Sequence, residues 1–175
     1  MIPFKTPVKF GLISGSALIV FTVLLYALDV DLFSILFSIV NGLFQFGLMI
    51  VFTVIGINKL RDEDLDKKIT YVQALLGGFI ILLIAMYLNS IFSYILNGII
   101  DTQYMPNKID AAISKYEDMG MSEEQMGDIT EQFEDLKNAI TVFIKSLWMS
   151  PIASAAIAAI VSAFIKKDKT EQIPL

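Results

Sequence analysis

The sequence predicts an all-α polytopic membrane protein: a four-transmembrane-helix bundle with an extracytoplasmic helical hairpin between spans 3 and 4. Two observations lead to this fold class. Hydrophobic residues make up 55% of the 175-residue chain, above the roughly 45–50% of an average soluble protein. Four stretches also lack any charged residue, and each has close to the ~20 residues that a helix needs to cross a bilayer: Phe10–Leu28, Leu32–Asn58, Thr70–Ile100 and Ser146–Ile165.

At this length we expect a single membrane domain. The first span follows two lysines, as a secretory signal does, but it exceeds the core of about 7–15 residues of a signal and no small-residue cleavage site follows. It is therefore predicted to be an uncleaved anchor. The short turn Asp29–Asp31 predicts an antiparallel hairpin of the first two spans. The predicted domain covers 1–175, with the hairpin at about 101–145 and spans at about 8–28, 32–58, 70–100 and 146–165.

The basic residues predict which ends face the cytoplasm. Lysine and arginine accumulate in loops that stay in the cytoplasm, whereas acidic residues have little effect on orientation. Basic residues precede the first span, fill the link between the second and third, and follow the fourth: Lys5, Lys9, Lys59, Arg61, Lys67, Lys68, Lys166, Lys167 and Lys169. We therefore expect a multi-pass protein with both termini in the cytoplasm and the 101–138 loop on the opposite side.

The composition excludes most catalytic chemistry. Cysteine and histidine are both absent, so disulfides, thiolate sites, and histidine bases or ligands are excluded. The spans also lack the ionisable residues that usually mark ion pathways and proton relays. The acidic loop does not show the alternating oxygen ligands around a glycine that are typical of calcium loops. We predict that the protein is not an enzyme, and we expect no catalytic residue, metal site, cofactor or nucleic-acid partner.

The segment Asp101–Asn138 is the one sizeable polar stretch between the spans. It holds ten acidic residues against three lysines, a net charge of −7. A capping box at Ser122–Gln125 marks the start of its second helix. Its first helix is predicted to end at Gly120, and it has one apolar face: Ile109, Ala112, Ile113 and Tyr116. Two interpretations stay open, a solvated hairpin that packs on itself, or a docking surface for another protein or a divalent cation.

After the capping box, apolar residues recur at spacings of 3, 4, 3, 4 and 3. This spacing is typical of a heptad seam. It predicts one long helix from about Glu123 to Ile165, whose first part stands above the membrane. The outer end of the third span is the expected partner of this seam within the chain. The heptad seam consists of Met126, Ile129, Phe133, Leu136, Ile140 and Phe143.

Several polar side chains lie within the predicted spans. Spacings of four residues place them on single helix faces, and an amide in hydrocarbon needs partners, so these faces point into the bundle. Hydrogen bonds between helices are the first interpretation, each contributing ~0.6–2 kcal/mol. The alternative is a polar lining for a small-solute or ion path. The candidate polar contacts of the bundle are Asn41, Gln45, Gln73, Asn89, Ser93 and Asn97.

Small residues in the first and fourth spans predict close approach of helices. The first span has Gly11 and Gly15, and the fourth has Ala155, Ala159 and Ala163. Such spacing fits either a tight bundle or a dimer face, and both remain open.

Two short segments resemble those of a known family. Ile55–Arg61 has a Gly-Ile … Arg pattern at the end of the second span, and Ile69–Gly78 opens the third span. Together with Gly120–Gln125, they resemble the bacterial membrane family known as domain of unknown function 4199. The family has an element Ser-Phe-x-x-Ala-Phe-x-x-Gly at this place. The corresponding residues here are Thr70, Tyr71, Ala74, Leu75 and Gly78, with tyrosine in place of the first phenylalanine and leucine in place of the second. The resemblance implies a bacterial inner-membrane protein with a periplasmic 101–138 loop, and it implies no activity.

By elimination, the expected function is that of a non-catalytic accessory or structural subunit. It would contact a larger envelope complex through the acidic hairpin. The alternative is a homo-oligomeric channel or transporter for a small solute or ion, lined by the amides of spans 2 and 3. The two halves of the chain do not repeat, which disfavours a secondary transporter. The expected partners are the lipid bilayer and either further copies of the chain or a larger membrane complex.

Overall fold

A computed structural model describes residues 2–165. Two π-helical turns, Leu60–Asp64 and Leu96–Ile100, prolong the second and third of its helices. The predicted all-α fold class is confirmed. The predicted cytoplasmic lysines Lys166, Lys167 and Lys169 lie outside the described residues. The six α-helices are α1 Lys5–Ala27, α2 Ile35–Lys59, α3 Tyr71–Ile95, α4 Tyr104–Asp118, α5 Glu123–Lys137 and α6 Ala139–Ile165.

Four helical segments are long and apolar enough to cross a bilayer, judged by length and composition. Large apolar side chains cover their outward faces, with Trp148 77% and Phe164 86% exposed. A continuous apolar exterior is unusual for a soluble monomer. The segments agree with the four predicted spans: Lys5–Ala27, Ile35–Asp64, Tyr71–Ile100 and Ala139–Ile165.

The four long helices alternate in direction. In α1 and α2, Phe21 packs on Phe44 with ring centroids 4.5 Å apart, while Phe10 lies against Gly56 near the other end. α3 and α6 are antiparallel as well, because the early Tyr71 reaches the backbone of Ala159 and later residues of α3 reach the start of α6. Residues 2–9 and 59–68 therefore lie at one end, called the basic end, and α4 and α5 lie at the other.

The third helix is central and packs most extensively on α1 and α6. A Cβ atom added at Gly11 would lie 2.8 Å from the Cβ of Ile84, and one at Gly15 would lie 2.9 Å from the Cβ of Leu88. The glycine pair therefore packs within the chain. On α6, Ala155 and Ala163 are exposed, so the alanine spacing does not pack within the chain, and a dimer face at these residues stays a prediction. The small residues on the face towards α3 are instead Ser146, Ser150, Ser154, Ala158 and Ser162.

The packed core lies towards the basic end of the bundle. The first residue of α2 that is buried in this core is Thr53, and residues 35–52 of that helix are not buried. The first half of α2 therefore leaves open space beside α3 and α6. The central cluster of buried apolar residues consists of Ile57, Leu60, Ile69, Ala74, Ile81 and Val161.

The predicted continuous helix from Glu123 to Ile165 is wrong, because Asn138 interrupts it. Its backbone is extended, with φ −93° and ψ 101°. Its side-chain oxygen Oδ1 accepts hydrogen bonds from the backbone N–H groups of Ile140 (3.1 Å) and Thr141 (3.2 Å). Asparagine is among the best N-cap residues, since it satisfies donors that the first helical turn leaves unpaired. α5 and α6 are therefore separate helices.

Other features of the 101–138 segment were predicted correctly. α4 ends at Asp118, and Gly120 follows with a positive φ of 73°, a conformation that glycine adopts without strain. The capping box of α5 is present, with Ser122 accepting from the N–H of Gln125 and the Gln125 side chain accepting in return. α4 and α5 then pack on each other.

The break at Asn138 divides the heptad seam between two neighbours. Phe133 packs on Phe33 and Tyr116, with ring centroids 5.1 and 6.3 Å apart. Phe143 instead packs on Tyr94 of α3, at 5.3 Å. The seam residues between them, Leu136 and Ile140, are 39% and 51% exposed. The expected single contact surface against the outer end of α3 is therefore wrong, and only the last part of the seam reaches that helix.

Candidate functional site

Polar residues predicted from the spans converge on the open space beside α2. A cavity of about 420 Å³ and a smaller one of about 250 Å³ both have Gln45, Asn89, Ser93 and Asn97 in their walls. Asn41 lines the smaller one. Because residues four apart lie on one face of a helix, α2 and α3 each present a polar face to this space. We call the two together the amide cavity.

Gln73, the sixth predicted polar contact, is not part of the amide cavity. It lies at the start of α3 near the basic end, in a capping box with Thr70. The Gln73 side-chain oxygen accepts from the N–H of Thr70 at 3.0 Å, and the Thr70 hydroxyl accepts from the N–H of Gln73 at 3.3 Å. Gln73 therefore caps the start of α3. From the sequence, a capping box is predicted only at Ser122–Gln125.

Three helices and an apolar cover form most of the larger cavity, and Leu18 of α1 and Met105 of α4 complete its lining. Gln45 and Met49 come from α2, and α3 forms the floor with Met86 and the polar face described above. α6 contributes the opposite wall through Val142, Phe143, Ser146 and Ser150, and Phe33 and Leu136 cover the end nearest α4 and α5.

Hydrogen bonds tie some of these polar groups to neighbouring helices. The one hydroxyl proton of Thr22 in α1 is shared between the Leu18 carbonyl at 3.0 Å and the Asn89 oxygen at 3.3 Å. The hydroxyls of Ser90 and Ser146 bond to each other and link α3 to α6. Such interhelical bonds stabilise a bundle whose exterior is apolar.

Other bonds stay within one helix. The Gln45 amide donates to the Asn41 oxygen at 2.9 Å, and the Asn97 amide donates to the Ser93 carbonyl at 2.9 Å. Within residues 2–165, the Oδ1 of Asn97 and the hydroxyl of Tyr104 are buried without a hydrogen-bond partner. A buried acceptor left unpaired costs about 1–3 kcal/mol. The cavity therefore suits an occupant that donates a hydrogen bond to Asn97.

A family comparison covers almost the whole chain, with a family model matching residues 9–167. The chain belongs to the family described as "Protein of unknown function (DUF4199)". The resemblance based on Ile55–Arg61 and Ile69–Gly78 is thereby confirmed. No curated protein and no solved structure matches the chain. For this DUF4199 protein, a functional argument therefore depends on the chemistry of the site.

The amide cavity is electrically neutral along its larger part. Carboxylates and cationic groups do not line the 420 Å³ cavity in the described part of the chain. Ionic groups lie outside this lining: Tyr26 donates to Asp101 at 3.0 Å, and Lys108 pairs with Asp29 at 2.8 Å. Glu134, Asp135 and Lys137 line an adjoining pocket that shares Asn97 with the cavity. Burial, and secondarily the charge of Asp29, raises the pKa of Tyr104 above its ordinary value, so this phenol stays neutral.

The sequence reasoning missed the contribution of α6 to the site. Ser146 and Ser150 line the larger cavity, and Ser154 bonds to Met86 beside it. The three serines are spaced four residues apart, a pattern that predicts one polar face. Tyr104 of α4 lines the smaller cavity and Met105 lines both. Neither carries such a signal, since only the tertiary fold brings them there.

Proposed function

We propose that this DUF4199 protein spans the bacterial inner membrane and acts by binding, as a non-catalytic accessory subunit of an envelope complex. The observation that carries this proposal is the chemistry of the amide cavity. Its described walls offer amides, hydroxyls and methionines without a nucleophile–base pair or an acid. Such a set of groups is suited to hold a molecule, whereas catalysis needs a positioned base, nucleophile or electrophile.

The surface of α4 and α5 supports a second contact, with another protein. All three lysines of this segment are engaged in ion pairs: Lys108 with Asp29, Lys115 with Asp31, and Lys137 with Asp110 and Glu134. The acidic side chains that remain exposed then dominate the local charge, and a negative surface attracts a basic partner. They include Glu117, Asp118, Glu124, Asp128 and Glu131.

The geometry favours binding over conduction in a single chain. Between the amide cavity and the basic end lies the packed core around Ile57, Ile81 and Val161. A solute path along the axis of this bundle would have to displace that core. A homo-oligomeric channel would therefore need its path between copies of the chain.

Membrane topology is the first test. The chain has no native cysteine, so a maleimide can label only the cysteine that is introduced. Single cysteines at Asp128 and Glu63 are labelled with a membrane-impermeant maleimide in intact spheroplasts and in inverted vesicles. We expect Asp128→Cys to react from outside only and Glu63→Cys from the cytoplasmic side only. Labelling of both positions from the same side would contradict the proposed orientation.

The accessory role is tested by charge neutralisation followed by quantitative co-purification. Replacing Glu124, Asp128 and Glu131 by their amides should release a stoichiometric membrane partner. The matched control neutralises three acidic residues at the basic end, Glu63, Asp64 and Asp66, and should retain that partner. A chain that purifies only with copies of itself, in both variants, would contradict the accessory role and favour the oligomeric alternative.

A further inference from the structure

We propose that the amide cavity binds one neutral, hydroxyl-bearing lipid that enters from the bilayer between α2 and α6. This inference rests on the proposed membrane placement and names the class of ligand for the same site. It excludes anionic lipids and free fatty acids as the preferred occupant.

The charge of the lining decides that the ligand is neutral. An ionised headgroup placed beside Gln45 and Asn89 would leave water without meeting an opposite charge among the described residues that line the 420 Å³ cavity. Burying an unpaired charge is far more costly than burying a neutral polar group that finds hydrogen bonds. A phosphate or carboxylate is therefore a poor occupant.

The unpaired oxygen of Asn97 decides that the ligand donates a hydrogen bond. Its Oδ1 atom is buried without a partner, while the Asn97 amide nitrogen is already bonded to Ser93. A hydroxyl group both donates to such an oxygen and accepts from a neighbouring amide. An ester carbonyl alone only accepts, so a lipid with a free hydroxyl fits better than a fully esterified one.

The apolar part of the cavity fits a hydrocarbon chain. The lining that contains the amides also contains three apolar side chains, those of Met49, Met86 and Val142. Methionine is flexible and polarisable, and it adapts to irregular apolar ligands. The volume of about 420 Å³ is within the ~300–1,000 Å³ that is typical of ligand pockets, so it holds a headgroup and the first part of a chain.

The packing of α2 indicates the route of entry. α2 and α6 share the core near Ile57 and Val161, but residues 35–52 of α2 contain no buried position. α3 closes the floor and Phe33 and Leu136 cover the end towards α4 and α5. The side without a helix is therefore the gap between α2 and α6, which faces the lipid in the proposed placement.

The test uses the full chain reconstituted in phosphatidylcholine vesicles, with a photoactivatable diacylglycerol as the probe. A photoactivatable fatty acid and a phosphatidic acid with the same chain serve as anionic comparisons. We expect saturable diacylglycerol adducts on peptides containing Met49, Met86 or Phe143, and weak labelling of those peptides by the anionic probes. Free 1,2-diacylglycerol without the photoreactive group should compete.

Two variants and one matched control give the test its specificity. Asn97→Leu should reduce cavity adducts about fivefold, as expected for the loss of about one hydrogen bond. Met49→Trp keeps the amides and narrows the cavity, so it should reduce adducts similarly. Asn58→Leu makes the same replacement near the basic end of α2, away from these walls, and should label like the unmodified chain.

Separate measurements distinguish the possible failures. Resistance to alkaline extraction reports membrane insertion, and thermal unfolding reports whether a variant folds. The inference would be overturned if both anionic probes labelled the cavity peptides of a folded, inserted chain as strongly as the diacylglycerol probe does. Adducts confined to outward residues such as Ile152 and Phe164, and unchanged by both cavity variants, would overturn it as well. Either result leaves the proposed accessory role standing, whereas failed insertion would reject the placement itself.

Discussion

The hydroxyls of Ser90 and Ser146 form a hydrogen bond that joins α3 to α6 at the wall of the amide cavity. Ser146 also lies 2.6 Å from the Phe143 carbonyl of its own helix, to which it donates. Ser90 is therefore the donor to Ser146, if each hydroxyl uses its one proton once. This contact links the central helix to the helix that carries the last part of the heptad seam.

Removing this hydrogen bond should loosen α6 from α3. We expect Ser90→Ala to lower the free energy of unfolding by ~0.6–2 kcal/mol, the range measured for hydrogen bonds between membrane helices. Unfolding in bicelles measures the change. A double-mutant cycle with Ser146→Ala should show that the two effects are not additive. Ser38→Ala is the control, since that exposed hydroxyl donates only to Ile35 within α2. Additive effects of the two cavity-wall substitutions would contradict a shared bond.

The close approach of α1 to α3 predicts opposite effects at two glycines. A Cβ at Gly11 would lie 2.8 Å from Ile84 and 3.1 Å from the Ile81 carbonyl oxygen, whereas Gly42 has nothing within 4 Å. Gly11→Ala should destabilise by about 1–3 kcal/mol through overpacking. Gly42→Ala should stabilise by about 0.5–1 kcal/mol, since alanine loses less backbone freedom in a helix. Thermal unfolding compares them, and equal shifts would refute this packing.

Charge-free runs of residues locate the long helices in the sequence because hydropathy is a local property. The amide faces were also predictable, since spacings of four residues place Asn89, Ser93 and Asn97 on one side of α3. The cavity between the helices was not predictable, because it depends on the first half of α2 standing away from α3 and α6. No local pattern in residues 35–52 encodes that separation.

The heptad seam shows why a correct pattern gave an incorrect helix. Periodicity records which residues are apolar, and the spacing from Met126 to Phe143 continues through Asn138 without a gap. The backbone at Asn138 instead leaves the helix, because the Asn138 side chain satisfies the first N–H groups of α6. An asparagine inside an apolar repeat was therefore the signal that the interpretation overlooked.

The N-cap at Asn138 predicts a local loss of protection. Asn138→Ala removes the acceptor of two backbone N–H groups and should destabilise the start of α6 by about 0.5–2 kcal/mol. Hydrogen exchange of residues 139–142 should accelerate, while exchange near Ala158 stays unchanged. Asn138→Asp keeps an acceptor at the same place and should preserve protection. If alanine and aspartate protect these residues equally, the cap does not stabilise this turn.

The ion pair between Lys115 and Asp31 predicts a dependence on pH in the link between α1 and α2. The hydrogen bond from Lys115 lowers the pKa of Asp31 below its ordinary value, and the charge of Lys115 adds to this effect. A carboxyl group whose pKa is lower in the folded state stabilises the fold above its unfolded pKa of about 3.9. That stabilisation is lost as the pH falls through the lowered pKa.

Hydrogen exchange of residues 30–34, followed from pH 6 to pH 2.5 and corrected for intrinsic rates, should accelerate below about pH 4. In Lys115→Met, exchange should already be faster at pH 6 and change less with acid. The same profile in both chains would show that this pair does not hold the link against α4.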